Sequence, residues 1–433
     1  MSKKFSRRDF LKVSLVSAGA ISLAACGAKP TEAPAAAVTE AAQVAAPAAA
    51  GDTIRIGCIQ PLSGPATLQG TMQKYAYEYA ADKVNQAGGI KSLGGKKIEM
   101  VWGDHQNKND LAVNETERLI QQEKVVCMSG TSTSGTAIAA TTASERLQVP
   151  FVIDVPGAVN VTARGLKWLF RVGILGTNYG TTFGDFIQYA NDNLNAGLQK
   201  MAFVYPDTEA ARSFLGACVD RAYADGLDVV FNEAFPADLQ DFTTLLTRVK
   251  VTEPDVVVFN DASLASALQY LRQAKAVQLR PKYFTHTGGT AEFQDWADGA
   301  GELGDGYSYI GQWNPDVEGG KELYDDFLAV TGQNLTGFNA QGIQVVYVIA
   351  DALERAASTD PAKLREALVA TNITKDNPRL ILPSDFIKFD ETGQNIGLRN
   401  IMVQWFGSEK FTTFPPEVAT RQPAVPFEYF KGL

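Results

Sequence analysis

The sequence contains few of the residues that most often build metal sites and nucleophilic catalytic centres. Only two of its 433 residues are histidine, His105 and His286, and only four are cysteine. The histidines lie far apart in the chain, and neither has a cysteine or a second histidine at metal-ligand spacing. We therefore expect no metal site and no cofactor, and we interpret each histidine as an ordinary polar residue.

Sequence motifs of the common enzyme classes are missing too. No G-x-G-x-x-G follows a predicted strand, and the chain has no G-x-x-x-x-G-K-[ST], no G-x-S-x-G and no H-E-x-x-H. A serine nucleophile needs a base beside it. Ser134 with His286 is a conceivable pair, which keeps a hydrolase as one alternative, but no motif supports it. The sequence therefore predicts a protein that is not an enzyme.

An excess of positive charge is also lacking. The net charge is -9 at pH 7, which argues against nucleic acid or an anionic membrane surface as a partner. With 45% hydrophobic and 20% charged residues, the composition is that of a globular chain. The length is sufficient for two domains and an unstructured tail.

The beginning of the chain has the pattern of a bacterial export signal. A twin-arginine (Tat) segment at 6–12 precedes an apolar stretch, 13–25, that is too short to span a membrane. The sequence Leu-Ala-Ala-Cys then resembles a lipobox in which Cys26 becomes the lipidated residue. Residues 1–26 are predicted to be a lipoprotein signal peptide, and the Ala/Pro-rich residues 27–51 a disordered tether. We expect an exported protein, anchored by its lipid at the outer face of the cytoplasmic membrane.

From residue 53 onward, strand-like and helix-like segments alternate, which is the pattern of a doubly wound α/β fold. The predicted strands are 53–60, 97–103, 125–128, 149–153, 168–172, 200–205, 228–231, 254–259 and 281–285. The alternation restarts near residue 168 and ends near residue 301. We predict two Rossmann-like lobes joined by a multi-strand hinge. The N-terminal lobe is predicted to span 52–173 plus 314–378, and the C-terminal lobe 174–313 plus 379–433.

The segment 125–136 carries the strongest signal for a binding site. A short apolar strand is followed by a row of hydroxyl residues, Thr131 to Ser134, and a helix is predicted to begin near Thr136. In an open α/β sheet, small ligands bind where a strand ends and a helix starts. Hydroxyls and free N–H groups at a helix start suit a carboxylate. The alternative is an ordinary Ser/Thr N-cap turn.

Two cysteines fall inside predicted buried strands. Cys58 and Cys127 are in positions where small apolar thiols are common. A disulfide between them can form if the sheet order places their strands side by side, but the sequence does not require one. Cys218 lies in a predicted helix and is interpreted as a lone thiol.

From residue 54 onward, the chain resembles the periplasmic leucine/isoleucine/valine-binding proteins of ABC importers, which have the type I periplasmic binding fold. The segments that carry the resemblance are 56–57, 60–65, 84–90, 125–135, 149–150, 169–171, 241–245 and 254–255. The resemblance implies two lobes that close on a small-molecule ligand by hinge motion, after which the closed form docks on permease subunits. We expect a monomer.

Some site residues of that family have counterparts here, and others do not. The resemblance assigns the ligand carboxylate to Ser134, with Thr133 beside it, and assigns backbone contacts to Val155, Pro156 and Gly157. Gln60 and Leu62 are expected to shape the pocket. Four positions depart from the family: Gly157 stands where a threonine is expected, Ala210 and Ala262 where aromatics are expected, and Thr287 where the acid for an ammonium is expected.

The group that holds the other end of the ligand is left open by the sequence. Asp154, Asp207 or Asp261, each at a strand end, is a candidate, as is His286 with Thr287; the alternative for each Asp is an Asx turn or helix cap. We expect a branched-chain amino acid or a related small carboxylate or amide. Urea, an aromatic acid, and a role as a sensor ectodomain that signals through a partner are the alternatives.

Overall fold

The computed structural model describes residues 53–432. The predicted signal peptide with Cys26, and the predicted tether, lie outside the described residues. Lipidation and export therefore stay predictions from the sequence. Within the described residues, no helix has the length and apolar character needed to cross a bilayer.

The first sheet consists of five parallel strands in the order β2-β1-β3-β4-β5. Its strands and the helices that connect them are β1 (Thr53–Gln60), α1 (Thr67–Gln86), β2 (Lys97–Asp104), α2 (Asn109–Gln121), β3 (Cys127–Gly130), α3 (Ser134–Leu147), β4 (Phe151–Ile153), α4 (Val159–Thr162) and β5 (Leu169–Arg171). The strand order reverses between β1 and β3, and a crevice opens outside the carboxyl ends of the two strands at such a point. The hydroxyl loop, which we define as residues 131–136, begins there.

The second sheet has seven strands in the order β14-β13-β10-β9-β8-β6-β7. Its strands, with the helices between them, are α5 (Gly176–Leu194), β6 (Lys200–Pro206), α6 (Glu209–Ala224), β7 (Asp228–Phe235), α7 (Thr243–Val251), β8 (Val256–Phe259), α8 (Leu264–Ala276), β9 (Tyr283–His286), α9 (Gln294–Ala300), β10 (Ser308–Gly311), β13 (Ile401–Phe406) and β14 (Glu409–Phe414). Strands β6 to β10 are parallel, and β13 and β14 form an antiparallel edge. The five parallel strands repeat the order of the first sheet, so the prediction of two doubly wound lobes is confirmed.

The segment between β10 and β13 returns to the first sheet. It contains α10 (Gly320–Thr331), α11 (Gly337–Ala356), α12 (Pro361–Val369), β11 (Asn372–Thr374) and β12 (Phe386–Lys388). Helix α11 packs on α1, and α12 packs on α11. The chain therefore passes between the two sheets three times: after β5, after β10 and before β13. This agrees with the predicted multi-strand hinge, while the residue boundaries of the lobes stay a prediction.

Some predicted boundaries were wrong. Strand β3 begins two residues later than predicted and includes Ser129 and Gly130, and α3 begins at Ser134 rather than Thr136. Strands β10 and β14 were not predicted, because each is short and lacks a long β-branched run. The alternate residues Ile401, Val403 and Trp405 of β13 pack into the second core, and the strand is buried on both faces.

The three described cysteines are buried and free. Strands β1 and β3 are neighbours, but Cys127 pairs with Ile56 and Cys58 pairs with Ser129. This offset of two residues keeps the two thiols from meeting. The disulfide between Cys58 and Cys127 that the sequence left undecided is therefore not formed. Cys218 is a free thiol, as predicted.

Candidate functional site

The hydroxyl loop leaves several N–H groups without partners at the start of α3. Thr133 is the N-cap residue, but its side chain caps no N–H of the helix. Its hydroxyl donates instead to Asn107 Oδ1 at 2.9 Å. The first helical bond runs from Ala137 N to Thr133 O, at 3.0 Å. The N–H groups of residues 134–136 are left available, and the helix dipole favours an anion beside them. The alternative interpretation, an ordinary turn in which the N-cap side chain caps the helix, is therefore wrong.

Ser134 adds a hydroxyl donor to these N–H groups. Its side chain is only 2% exposed, and its Oγ accepts a hydrogen bond from Ala158 N at 3.3 Å. A hydroxyl that accepts one bond still has its own proton to donate. Ser134 thus presents a donor to whatever occupies the space in front of the loop.

A buried network below the loop holds its backbone in place. Asp154 is completely buried and accepts from Gln60 Nε2 at 2.7 Å, Tyr77 Oη at 3.1 Å, Val155 N at 2.7 Å and Ser132 N at 3.3 Å. The Ser132 hydroxyl donates to Gln60 Oε1 at 2.5 Å. Ser132 has φ 64°, a left-handed conformation that non-glycine residues rarely adopt. The network stabilises that conformation.

Arg171 fixes the second backbone segment of the site. Its guanidinium is fully buried and donates to the carbonyls of Pro156 (3.1 Å) and Ala158 (2.7 Å), to Thr162 Oγ1 (2.7 Å) and to Gln394 Oε1. Burial lowers the pKa of Arg171 to about 9. Because Ala158 N contacts Ser134, Arg171 couples the loop after β4 to the hydroxyl loop.

A cavity of about 320 Å³ lies between the carboxyl ends of the two sheets. The first sheet and its connections contribute Ala66, Gln69, Asn107, Asn109, the residues 132–136, Val155, Pro156 and Gly157. The second sheet, its helices and α11 contribute Tyr179, Thr208, Glu209, Ala210, Phe214, Asn260, Asp261, Ala262, Thr287, Gly289, Glu292, Gln312 and Phe338. Both sheets therefore supply walls to the same cavity.

Polar side chains of the second sheet face the hydroxyl loop across the cavity. Asn260 Nδ2 donates to Thr287 Oγ1 at 2.8 Å. Asp261 Oδ2 accepts from Thr290 N (3.2 Å) and Thr290 Oγ1 (2.7 Å). His286 Nε2 also lies 2.9 Å from Asp261 Oδ2, although not at hydrogen-bonding angles. The carboxylate of Asp261 is thus already engaged by its own neighbours.

Aromatic side chains enter the cavity from positions that the sequence did not indicate. Tyr179 and Phe214 stack with ring centroids 4.3 Å apart, and Phe338 contributes a third ring to the lining. The family's aromatic positions are occupied by Ala210 and Ala262, which line the cavity without rings. The apolar surface therefore comes from α5, α6 and α11 instead.

Seven of the twelve ligand-contact residues predicted from the sequence line the cavity: Thr133, Ser134, Val155, Pro156, Gly157, Asp261 and Thr287. The other five, Gln60, Leu62, Asp154, Asp207 and His286, do not. Gln60 and Asp154 bind each other beneath the loop, and Leu62 N donates to Asp104 Oδ1. Asp207 is exposed and paired with Arg212, while His286 is buried behind Asp261. No hydrogen bond joins Ser134 to His286 among the described residues, so the conceivable nucleophile–base pair does not form.

The sequence reasoning missed Glu292, Tyr179, Phe214 and Phe338. The three aromatics lie in helices α5, α6 and α11, where an aromatic is ordinarily a core residue. Glu292 ends an irregular 3₁₀ turn, Gly289–Glu292, just after β9. The one available signal was an acidic residue closely following a strand end and a Gly-Gly pair.

Gly157→Thr, which introduces the residue expected from the family, should destabilise the protein by about 1–3 kcal/mol, the usual range for overpacking. A Cβ at position 157 would lie 2.8 Å from Phe214 Cε1 and 3.1 Å from Ile174 O. Urea unfolding measures the effect. Gly216→Ala is the matched control, because a Cβ there meets nothing within 4 Å. Equal stability of the two variants would contradict the assignment of Phe214 to this space.

A family model and curated relatives of this chain are both described as binding proteins. The family model described as "Periplasmic binding protein" matches residues 53–403. The Leu/Ile/Val-binding protein homolog 7 of Brucella suis biovar 1 (strain 1330) is 27% identical over 401 residues, which are 88% of this chain and 96% of that protein. Homolog 8 of Brucella abortus (strain 2308) is 28% identical over 379 residues, covering 84% and 91% respectively.

Solved structures are similar in fold. The branched-chain amino acid transporter substrate-binding protein LivJ from Streptococcus pneumoniae, in complex with isoleucine, has a TM-score of 0.71 at 22% identity, covering 83% of this chain and 97% of that one. A solute-binding protein of an ABC transporter from R. palustris, in complex with benzoate, has a TM-score of 0.70 at 20% identity, covering 87% and 99%. At these identities, the similarity establishes the fold.

Proposed function

This chain belongs to the periplasmic binding protein family, and we propose that it is the substrate-binding lipoprotein of an ABC importer. In this proposal, the protein captures a small ligand outside the cytoplasmic membrane and presents it to permease subunits. The observation that carries the proposal is the cavity between the carboxyl ends of two doubly wound sheets, with the hydroxyl loop as one wall. The curated relatives reported above are named as binding proteins.

The proposed ligand is a branched-chain amino acid or a related small carboxylate or amide. Its carboxylate or carbonyl oxygen would be held by Ser134 Oγ and the N–H groups of residues 134–136. These donors are free, they lie at a helix start, and the dipole favours negative charge there. The cavity volume of about 320 Å³ suits a molecule of this size.

The proposed mechanism is closure of the two lobes on the ligand. Three chain segments connect the sheets, so the lobes are free to bend about them while staying aligned. Closure would remove the ligand from water, which strengthens its hydrogen bonds to both walls. We propose that permease subunits recognise this closed form. Anchoring through Cys26 is proposed on the signal-peptide pattern alone.

An aromatic acid is the second candidate ligand. The aromatic lining formed by Tyr179, Phe214 and Phe338 favours it, and one protein of similar fold was solved with benzoate. The carboxylate of such an acid would use the same Ser134 donors. The two candidates therefore differ at the far wall of the cavity and share the hydroxyl loop.

Ser134→Ala should weaken ligand binding about 10- to 100-fold, because a hydrogen bond to a charged group contributes about 1.5–3 kcal/mol. The ligand is first identified by a thermal-shift screen of amino acids, amides, urea and aromatic acids, since a ligand of the native state raises the melting temperature. Titration calorimetry then compares dissociation constants.

Thr142→Ala is the control for that titration, because Thr142 is an exposed hydroxyl residue on the same helix, α3. Its dissociation constant should equal that of the unmodified protein. An unchanged constant for Ser134→Ala would remove the contact on which the proposed function depends.

A further inference from the structure

His105 is a completely buried side chain that joins two loops of the site without lining the cavity itself. Its Nε2 lies 3.0 Å from the Thr131 carbonyl oxygen, and its Nδ1 lies 3.1 Å from Asn107 N. A backbone N–H group only donates a hydrogen bond and a carbonyl oxygen only accepts one. Both contacts are therefore satisfied by one neutral tautomer, in which Nε2 carries the proton and Nδ1 is the acceptor.

The backbone that follows β2 depends on side chains to keep its conformation. Gln106 and Asn107 have φ angles of 50° and 58°, in the left-handed region that non-glycine residues rarely adopt. The Gln106 N–H donates to Asp104 Oδ1 at 2.9 Å, and the Asn107 N–H donates to His105 Nδ1. The imidazole thus holds the backbone of Asn107, which is a residue of the cavity wall.

Asn107 in turn determines where the Thr133 hydroxyl is directed. Thr133 Oγ1 donates to Asn107 Oδ1 at 2.9 Å and lies 2.7 Å from Thr136 Oγ1. Neither contact uses an N–H group of α3. A threonine at the N-cap usually accepts a hydrogen bond from such a group. The contact with Asn107 therefore leaves the N–H groups of residues 134–136 available to a ligand.

The other imidazole nitrogen fixes the beginning of the hydroxyl loop. His105 Nε2 donates to the carbonyl of Thr131, whose Oγ1 donates to the Thr133 carbonyl at 2.9 Å. The same Thr133 carbonyl accepts the first helical bond, from Ala137 N. One imidazole therefore supports the hydroxyl loop at its first residue directly and at its third residue through Asn107.

We propose that His105 is a positioning residue for ligand binding, whose neutral imidazole keeps the Thr133 hydroxyl away from the start of α3. This inference rests on the proposed function and adds a residue that does not touch the ligand. Without the imidazole, or with both its nitrogens protonated, Asn107 loses its support. Thr133 is then released to cap α3, and the ligand loses donors at the helix start.

The electrostatic surroundings of His105 are simple. The residues 56–66 and 127–136, which include β1, β3 and the hydroxyl loop, contain no charged side chain. At the start of α2, Lys108 and Asp110 are exposed. Two carboxyl groups remain close to the loops that His105 joins: Asp104, which precedes it, and Asp154, which accepts from Ser132 N.

The imidazole is neutral at pH 7. Burial lowers the pKa of His105 below the usual value of about 6.5, against the opposing effects of the Thr131 carbonyl and of Asp104. A histidine with a lowered pKa supports the native arrangement above its usual titration range and loses this role as the pH falls. We therefore expect ligand affinity to fall in acid through His105.

The first experiment removes one nitrogen contact at a time. His105→Gln keeps a donor for Thr131, and His105→Asn keeps an acceptor for Asn107. Each should weaken binding about 10-fold, measured by titration calorimetry at pH 7.5, because a supporting hydrogen bond is lost. The probe is L-leucine, or benzoate if only the aromatic acid raises the melting temperature. An unchanged dissociation constant for both variants would overturn the inference.

Asn85→Ala is the matched control for these variants. The Asn85 side chain bonds to both backbone groups of Ile98, at 2.7 and 2.9 Å, near the other end of β2. Its loss should lower the melting temperature but change the dissociation constant by less than about 2-fold, because these bonds lie away from the cavity. Equal weakening of binding by Asn85→Ala would show that His105 acts through general stability only, and would overturn the inference.

The second experiment tests the route through Thr133. Valine has no hydroxyl to cap the helix, so in a Thr133→Val background His105→Gln should change the dissociation constant by less than about 3-fold. The same comparison in the unmodified background gives the full effect. An undiminished loss in the Thr133→Val background would overturn the inference that His105 acts by restraining this hydroxyl.

The third experiment uses the unmodified protein, prepared without a histidine tag. The chain contains only two histidines, so replacing either one assigns both imidazole signals in an NMR spectrum. We expect His105 to be the Nε2–H tautomer at pH 7.5, and the dissociation constant to rise over the pH interval in which its signal titrates. His105→Gln should lack this rise. If neither variant of His105 folds, His286→Gln assigns the signals; an Nδ1–H tautomer or a constant affinity through the titration would overturn the inference.

The inference and the proposed function fail in different ways. If Ser134→Ala weakens binding and the His105 variants do not, the proposed function stands and the role of His105 is rejected. If Ser134→Ala leaves binding unchanged, or neither probe binds, the proposed function fails and the inference fails with it.

Discussion

Replacing Arg171 with alanine should lower the free energy of unfolding by about 3–5 kcal/mol. The substitution removes a fully buried side chain and leaves two carbonyls, a hydroxyl and an amide oxygen without donors. Each buried polar group left unsatisfied costs about 1–3 kcal/mol, and the empty volume adds a further penalty. The measurement is urea unfolding followed by circular dichroism.

Arg171→Lys should recover little of this loss, because one ammonium cannot reach acceptors arranged around a planar guanidinium. Arg146→Ala is the control: its side chain is 61% exposed and paired with Glu117 on the surface, so the expected change is within about 1 kcal/mol. Similar losses for Arg146→Ala and Arg171→Ala would contradict the claim that the buried contacts of Arg171 organise the loop after β4.

Asp154→Ala should destabilise the protein by about 3–4 kcal/mol. The aspartate was predicted to be a candidate ligand contact, yet it lies beneath the hydroxyl loop with four donors directed at it. Alanine would leave the Gln60 amide, the Tyr77 hydroxyl and two N–H groups unsatisfied. Burial raises the pKa of Asp154, and the four donors oppose that shift. Urea unfolding at pH 7 gives the change.

A double-mutant cycle tests whether these groups act as one network. Asp154→Ala combined with Gln60→Leu should cost less than the sum of the single changes, because each single change leaves the other residue without its hydrogen-bond partner. Asp192→Ala, on the exposed face of α5, should change stability by less than about 0.5 kcal/mol. If the changes in the free energy of unfolding for Asp154→Ala and Gln60→Leu simply add in the double variant, the two residues do not act together.

The alternation of strands and helices was sufficient to predict the first sheet and the parallel strands β6 to β9 of the second. Parallel strands covered on both faces are nearly continuous apolar runs, and β1, β6 and β8 have this pattern. The hydroxyl loop was singled out from the sequence because α/β proteins bind ligands where a strand ends at a reversal of strand order, and this loop lines the cavity. The hydroxyl loop therefore needed no coordinates to be singled out.

The roles of individual acids could not be predicted in the same way. Asp154, Asp207 and Asp261 all follow strands, and a one-dimensional pattern does not distinguish a carboxylate that faces a cavity from one that supports a loop. The distinction depends on partners far away in the chain, such as Gln60 and Tyr77 for Asp154. Glu292, which lines the cavity from the turn after β9, was missed for the same reason.

The small residue Gly157 and the ring of Phe214 occupy neighbouring positions in the cavity wall. A side chain at position 157 would overlap Phe214, whose ring packs against Tyr179. A small residue in the first lobe thus accompanies a ring on the second. We therefore infer that position 157 must be small because position 214 carries an aromatic ring.

The three passages of the chain between the sheets determine what a single cut in the backbone can do. The two halves are joined by three covalent connections rather than by one. A protease that cuts one connection would therefore leave the halves joined by the other two.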